Sequence, residues 1–200
     1  MWRGKFDSVG FVSLLRTPKS KLRRPHLGRR WRGLRASPLV LGHRGDSETY
    51  PENTMAAMAG AMSAGADGFE LDVRLCKSGE LVVFHDEDLL RLAGDPRRVD
   101  QLTWSELQQL RIGGEPIPTL LEVLCELPDA MVNIELKKHP IHQALALVQA
   151  CTQAVEQSAS LGRVLASSFD SRLLLMLRVL EPNIGRGLLF AKAQGVPFRR

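Results

Sequence analysis

From Pro38 onward the chain alternates short apolar runs with longer segments whose apolar residues recur at helical spacing. Leu39-Val40-Leu41-Gly42 reads as a buried strand running into His43. Pro51-Glu52-Asn53-Thr54 then breaks the chain and caps a helix from Met55 to Ala64 that ends at Gly65. Gly68 to Leu75 is predicted as a strand carrying Glu70, Asp72 and Arg74 at period two, and Lys77-Ser78-Gly79-Glu80 turns it into Leu81-Val82-Val83-Phe84. Residues 86–118 are polar, with breaks at Gly94-Asp95-Pro96 and Gly113-Gly114-Glu115-Pro116 around a short helix that the capping box Thr103-Trp104-Ser105-Glu106 opens. They read as an excursion near the mouth of a site. A second capping box, Thr119-Leu120-Leu121-Glu122, predicts a helix to Leu127. A strand Met131–Leu136, a helix Ile141–Ser158, a strand Val164–Ser168, a helix Ser171–Leu180 capped by Asp170 and a strand Gly187–Phe190 complete the pattern.

This βαβα alternation predicts an α/β fold with a parallel sheet covered by helices. Polar residues at the strand C-terminal ends favour a TIM (β/α)8-type barrel, whose chemistry sits on that face. A doubly wound sheet is the rival, and no Gly-rich nucleotide loop supports it. A closed barrel needs eight strands and ~250 residues, whereas five or six strands are countable here. The expectation is a barrel domain over residues 38–200 that is truncated at its C-terminus, preceded by an arm of residues 1–37.

Charge changes the picture only in that arm. Of 27 Lys/Arg and 22 Asp/Glu, residues 1–37 hold 11 and one (Asp7), so the remainder carries 16 basic against 21 acidic residues. A mildly acidic folded part gives no reason to expect nucleic acid there. The arm reads as basic and disordered; a targeting segment is the other reading, although Asp7, Pro18 and Pro25 interrupt any amphipathic helix. Cys76, Cys125 and Cys151 match neither a disulfide framework nor a zinc spacing, which points to free thiols in a reducing, cytoplasmic setting. No apolar run approaches the ~20 residues of a membrane span, so a soluble chain is expected.

The chemistry is concentrated in His43-Arg44-Gly45, Glu70-Leu71-Asp72, His85-Asp86 and Glu135-Leu136-Lys137, each closing or following an apolar run. Glu70 and Asp72 project the same way from one strand, and Glu135 from another strand completes an oxygen cage suited to a hard divalent cation, Mg²⁺ or Ca²⁺. Without a cation, three converging carboxylates would repel one another and raise their pKa values. His43 and His85 supply a base and an acid near neutral pH. Arg44 and Lys137 can neutralise phosphate oxygens, unless they are spent on salt bridges to neighbouring carboxylates. Together these residues are a set for metal-assisted cleavage of a phosphodiester. His139 and His142 read as solvated residues at a helix start rather than ligands. Ser167-Ser168-Phe169-Asp170 lacks the GxSxG surround of a nucleophile elbow and reads as a strand end capping the next helix.

The ordered motifs His43-Arg44-Gly45, Pro51-Glu52-Asn53-Thr54, Glu70-Leu71-Asp72-Val73, Ser78-Gly79-Glu80, His85-Asp86, Ile117-Pro118-Thr119-Leu120, Asn133-Ile134-Glu135-Leu136-Lys137 and Ser167-Ser168-Phe169 closely resemble the glycerophosphodiester phosphodiesterase family over roughly residues 39–190. The resemblance implies a TIM-barrel hydrolase acting on deacylated phospholipids such as glycerophosphocholine or glycerophosphoethanolamine, with glycerol 3-phosphate and an alcohol as products. It makes Glu70, Asp72 and Glu135 metal ligands, His43 and His85 the catalytic pair, and Arg44 and Lys137 phosphate-binding residues. The attacking oxygen is then the substrate's own glycerol hydroxyl, through a cyclic phosphate, or water. The sequence departs from the family at Tyr50, where a small residue is usual, and in the absent closing strands. The second departure keeps open an inactive barrel fragment that binds partners or self-associates through an unclosed sheet edge.

Overall fold

The structure, a computed structural model, describes residues 10–12, 31 and 38–190. In chain order its elements are β1 (Gly10–Val12), β2 (Leu41–His43), α1 (Met55–Ser63), β3 (Gly68–Leu75), β4 (Leu81–Val83), β5 (Asp88–Leu89), α2 (Leu90–Ala93), β6 (Asp95–Arg98), α3 (Trp104–Leu107), β7 (Arg111–Ile112) and β8 (Glu115–Pro116). They continue with α4 (Leu120–Glu126), β9 (Met131–Leu136), α5 (Ile141–Gln157), β10 (Val164–Ser168), α6 (Ser171–Leu180) and β11 (Gly185–Phe190).

β2, β3, β9, β10 and β11 lie side by side in that order, each parallel to the next, and form a half-barrel of the (β/α) type. Side chains on a strand alternate between faces, and the sequence uses the alternation strictly. Phe69, Leu71 and Val73 of β3, Val132, Ile134 and Leu136 of β9, and Val164 and Ala166 of β10 join residues of α1, α4, α5 and α6 in one buried core. Their alternates Glu70, Asp72, Asn133, Glu135 and Ser167 take the opposite face, and all are buried. The sheet is therefore apolar toward the helices and polar toward the barrel interior. Helices are set in place by local chemistry: Thr54 and Asp170 cap α1 and α6, and Thr119 with Glu122 forms a capping box on α4.

Parallel register brings the polar alternates into rows. His43 stands opposite Glu70, Glu70 opposite Asn133, Asp72 opposite Glu135, and Glu135 opposite Ser167. Close approach at the foot of β3 maintains these rows, because a Cβ on Gly68 would fall 1.8 Å from the Met131 carbonyl oxygen. Arg163 anchors the next strand: its buried guanidinium donates to the carbonyls of Leu124, Leu127 and Ala130, tying the end of α4 and the following loop to the start of β10.

One expectation needs correction. The alternation is not βαβα throughout: β4 runs antiparallel to β3, because the turn at residues 76–80 is far too short for the crossover a parallel pair requires. The excursion folds as two small hairpins, β5–β6 and β7–β8, over a second core that includes Phe84, Leu89, Leu107 and Ile117. Within the predicted arm, Gly10–Val12 forms a strand antiparallel to β11, whereas the rest of residues 1–37 lies outside the described residues. No helix among the described residues is long and apolar enough to cross a membrane.

Gly68→Ala forces backbone against backbone, with no flexible side chain to yield. It should cost ~3 kcal/mol of unfolding free energy in urea denaturation; a loss below ~0.5 kcal/mol would show that β3 and β9 can separate freely.

Candidate active site

The row geometry concentrates acid. Asp72 and Glu135 are register partners, Glu70 sits two residues upstream on the same face of β3, and ligating oxygens of all three lie within 4.8 Å of one another. Lys137, just past the end of β9, reaches back into them: its Nζ is 2.6 Å from Glu135 Oε1 and 2.7 Å from Asp72 Oδ1. The ammonium thus takes the place of positive charge that the cluster demands.

A strained turn after β2 supplies the second cation. Arg44 has φ of 58° and Gly45 φ of 83°, so two successive residues adopt the left-handed conformation that only glycine tolerates readily. Gly45 is obligatory there, because a Cβ would meet Ala57 of α1 at 2.5 Å. The strain at Arg44 is held by bonds on both sides: its N–H donates to Glu70 Oε2 (3.1 Å) and its carbonyl accepts from the Asn53 N–H (3.0 Å). Its guanidinium donates to Glu52 (2.9 Å) and makes a charge contact with Asp72 at 3.2 Å whose angle falls outside hydrogen bonding.

Asn53, fully buried, clamps Asp72 in two directions. Its Nδ2 donates to Asp72 Oδ2 (2.9 Å) and its Oδ1 accepts from the Asp72 N–H (3.2 Å). Burial opposes ionisation of Asp72, yet Lys137, Asn53 and Arg44 together outweigh it and hold the carboxyl below its ordinary range. At Glu70 the balance reverses: burial, then Asp72 and Glu135, outweigh the Arg44 N–H and the more distant Lys137 and push it well above the usual carboxylate value. Burial also raises Glu135, against the pull of Lys137.

The two histidines reach the same end of the sheet. His43 Nε2 lies 3.7 Å from Glu70 Oε2. Partial desolvation and the Arg44 charge lower the His43 pKa; with 71% of its side chain exposed, Arg44 is the firmer cause. His85 follows Phe84, whose N–H donates to the Asp72 carbonyl. Its Nδ1 is 2.6 Å from Asp86 Oδ1, and Arg91 and His85 depress Asp86 to about 2. An ionised Asp86 can only accept, which assigns the hydrogen to Nδ1 and leaves Nε2 for other partners. Arg91 also binds Glu52 (2.7 Å), so ionic contacts run unbroken from Arg44 through Glu52, Arg91 and Asp86 to His85.

All seven site residues expected from the sequence, His43, Arg44, Glu70, Asp72, His85, Glu135 and Lys137, are thus brought to one end of the sheet. The salt-bridge reading of Arg44 and Lys137 also describes their present contacts. Asn53, Glu52 and Arg91 escaped sequence reasoning as site residues: Pro51-Glu52-Asn53-Thr54 reads locally as a helix cap, and Arg91 meets Glu52 across 39 positions. The reading of His139 as a solvated helix-start residue is wrong, for it is buried, donating from Nδ1 to the Lys137 carbonyl and accepting at Nε2 from the Leu75 N–H. It staples the ends of β3 and β9 together. Ser168 does cap the segment before α6, accepting from the Asp170 N–H. Tyr50 lies against Gly60 of α1.

The donor set fits a divalent cation. It is all oxygen, it is buried, and burial together with the two neighbouring carboxylates holds Glu70 in the proton-bound direction. Asn133 Oδ1 and Ser167 Oγ, on the rows of Glu70 and Glu135, are buried without a hydrogen-bond partner among the described residues, so further polar valence faces the cluster.

Against known proteins, the model of the glycerophosphoryl diester phosphodiesterase family matches residues 43–197. The chain belongs to this family. A glycerophosphodiester phosphodiesterase of Caldanaerobacter subterraneus is 40% identical over 162 residues, covering 76% of this chain and 66% of the relative; one from Bacillus altitudinis is 36% identical, covering 75% and 65%. The chain therefore spans just under two thirds of the length of these family members. Among solved structures, an Oleispira antarctica phosphodiesterase in complex with the product sn-glycerol-3-phosphate is 31% identical with a TM-score of 0.70, covering 74% of this chain and 64% of that one. A Galdieria sulphuraria family member superposes with a TM-score of 0.71 at 28% identity, covering 82% and 68%.

The raised carboxyls make a signed prediction. A carboxyl whose folded pKa lies above its ordinary 4.5 contributes stability below that value and loses it as pH rises through the folded pKa. Asp72 shifts the other way: its contribution is fully present above its ordinary 3.8 and is lost only as pH falls below that value, outside the window of the raised carboxyls. In chelator, the stability of the wild type relative to Glu70→Gln should fall as pH rises above 4.5. A divalent cation at 100 times its Kd should add ~2.7 kcal/mol to the wild type at neutral pH. A wild type that gains on Glu70→Gln over this range in chelator contradicts the assignment.

Proposed function

We propose that this chain hydrolyses glycerophosphodiesters to glycerol 3-phosphate and an alcohol, with Glu70, Asp72 and Glu135 holding one divalent cation, Mg²⁺ or Ca²⁺. The observation that carries the reading is the convergence of these three buried carboxylates at the strand ends where Arg44, Lys137, His43 and His85 also gather. Family membership and the glycerol 3-phosphate complex of the Oleispira relative support the substrate class.

When bound, the cation supplies positive charge to the phosphoryl oxygens as negative charge gathers on them. Arg44 presents a guanidinium held in place by Glu52, and Lys137, now between Asp72 and Glu135, would present an ammonium to a phosphate oxygen. One imidazole takes the proton from the attacking oxygen and the other returns a proton to the leaving alkoxide. His85 is prepared for this by Asp86, which fixes its tautomer, and Arg91 fixes Asp86 in turn. The outer edge of β2, which ends the sheet among the described residues, is where self-association would occur.

A coupled assay for glycerol 3-phosphate, with glycerophosphocholine and glycerophosphoethanolamine as substrates, tests this directly. Turnover should need Mg²⁺ or Ca²⁺, stop in chelator, and fall ~10²- to 10⁴-fold in His43→Ala and in His85→Ala. Absence of turnover with either cation, or full activity in His43→Ala, sinks the proposal.

A further inference from the structure

A cleft of about 530 Å³ opens beside the site. It is walled by Arg74 from β3, by Glu87, Arg98 and Asp100 from the excursion, by Lys138 after β9 and by Arg172 from α6. Its walls are continuous in sequence with the catalytic set. Arg74 lies two residues beyond Asp72 on the same face of β3, Lys138 follows Lys137, and Glu87 follows His85-Asp86.

The charges in this cleft are unequally committed. Arg98 is gripped by Glu87 (2.8 Å) and Asp100 (3.0 Å), and Arg172 by Asp170 (2.6 Å). Arg74 spends only its Nε, on the His85 carbonyl (2.9 Å), and neither it nor Lys138 forms an ion pair among the described residues. Arg74 is half-buried, and Glu87, Asp72 and Asp86 offset its charge only from beyond ion-pair distance, so its two terminal nitrogens remain open to an anion that enters the cleft. Lys138, exposed and lining the same cleft, offers the second cation of a clamp.

We propose that the cleft receives an acidic group, carboxylate or phosphate, carried by the leaving alcohol of the diester, and that Arg74 and Lys138 bind it. This inference rests on the hydrolase reading and names the alcohols that reading leaves open. Two residues of strand, ~7 Å, separate Arg74 from Asp72, a span that a short alcohol such as serine covers. Ethanolamine carries the ammonium alone and leaves both cations unmatched.

Glycerophosphoserine and glycerophosphoethanolamine differ by a single carboxylate, so their comparison isolates the clamp. The wild type should favour the serine diester about tenfold in kcat/KM, the scale of one charge-assisted hydrogen bond. Lys138→Gln should reduce that preference to about twofold with the ethanolamine diester unaffected, and Lys138→Arg should retain it. Arg74→Gln, which also frees the His85 carbonyl, should slow both diesters but the serine diester more. Equal kcat/KM for the two diesters in the wild type, or a preference that survives Lys138→Gln, overturns the inference. If neither diester is turned over with Mg²⁺ or Ca²⁺, the hydrolase reading fails, and calorimetric titration decides the cleft alone: tighter binding of the serine diester that Lys138→Gln abolishes supports it, equal binding overturns it.

Discussion

Mutual repulsion among Glu70, Asp72 and Glu135 is the constraint around which the rest of the structure is arranged. Two adjacent parallel strands place these carboxylates on one buried face, with oxygens inside 4.8 Å, where the low dielectric magnifies every like-charge contact. Such a cluster persists only if positive charge is drawn into it. Lys137 and Arg44 are the local answer, and they reach Asp72 and Glu135 more fully than Glu70, whose carboxyl burial and its two acidic neighbours push toward the protonated form. The deficit left at Glu70 is the physical argument for a cation.

The scaffold serves that cluster at several levels. Gly68 lets β3 and β9 close to the distance that makes Asp72 and Glu135 neighbours, while Asn53 fixes Asp72 and its own backbone N–H holds the strained carbonyl of Arg44. Glu52 and Arg91 then link that turn to Asp86 and His85, so the two imidazoles, on segments far apart in sequence, belong to one ionic framework. A disturbance at the left-handed Arg44 turn is therefore expected to reach both proton-transfer groups. His139 does the same for the backbone, joining Leu75 to Lys137 at the point where both strands deliver their chemistry.

Most of this was readable where chemistry and periodicity coincide on neighbouring residues. Glu70 and Asp72 on alternate positions, Glu135 before Lys137, and capping boxes at Thr103 and Thr119 each carry their meaning within a few positions. What could not be read depends on contacts between distant segments. Asn53 has the local signature of a turn residue and becomes a clamp only because β3 passes beside it; Arg91 looks like a solvated helix residue until Glu52 and Asp86 approach. His139 differs from its sequence expectation for the same reason, since its position beside Pro140 suggests solvent while the neighbouring end of β3 buries it. The turn into β4 is itself legible at Lys77-Ser78-Gly79-Glu80, and its shortness, which forces antiparallel pairing with β3, is what departs from the βαβα pattern.

The account stands on one cation satisfying three acids. Calorimetric titration of Ca²⁺ or Mg²⁺ into the chelator-treated chain at neutral pH measures that directly. The account predicts a single site per chain that disappears in Glu135→Gln, because two carboxylates and a competing Lys137 ammonium no longer form the cage. No binding of either cation, or binding that Glu135→Gln leaves intact, would contradict it.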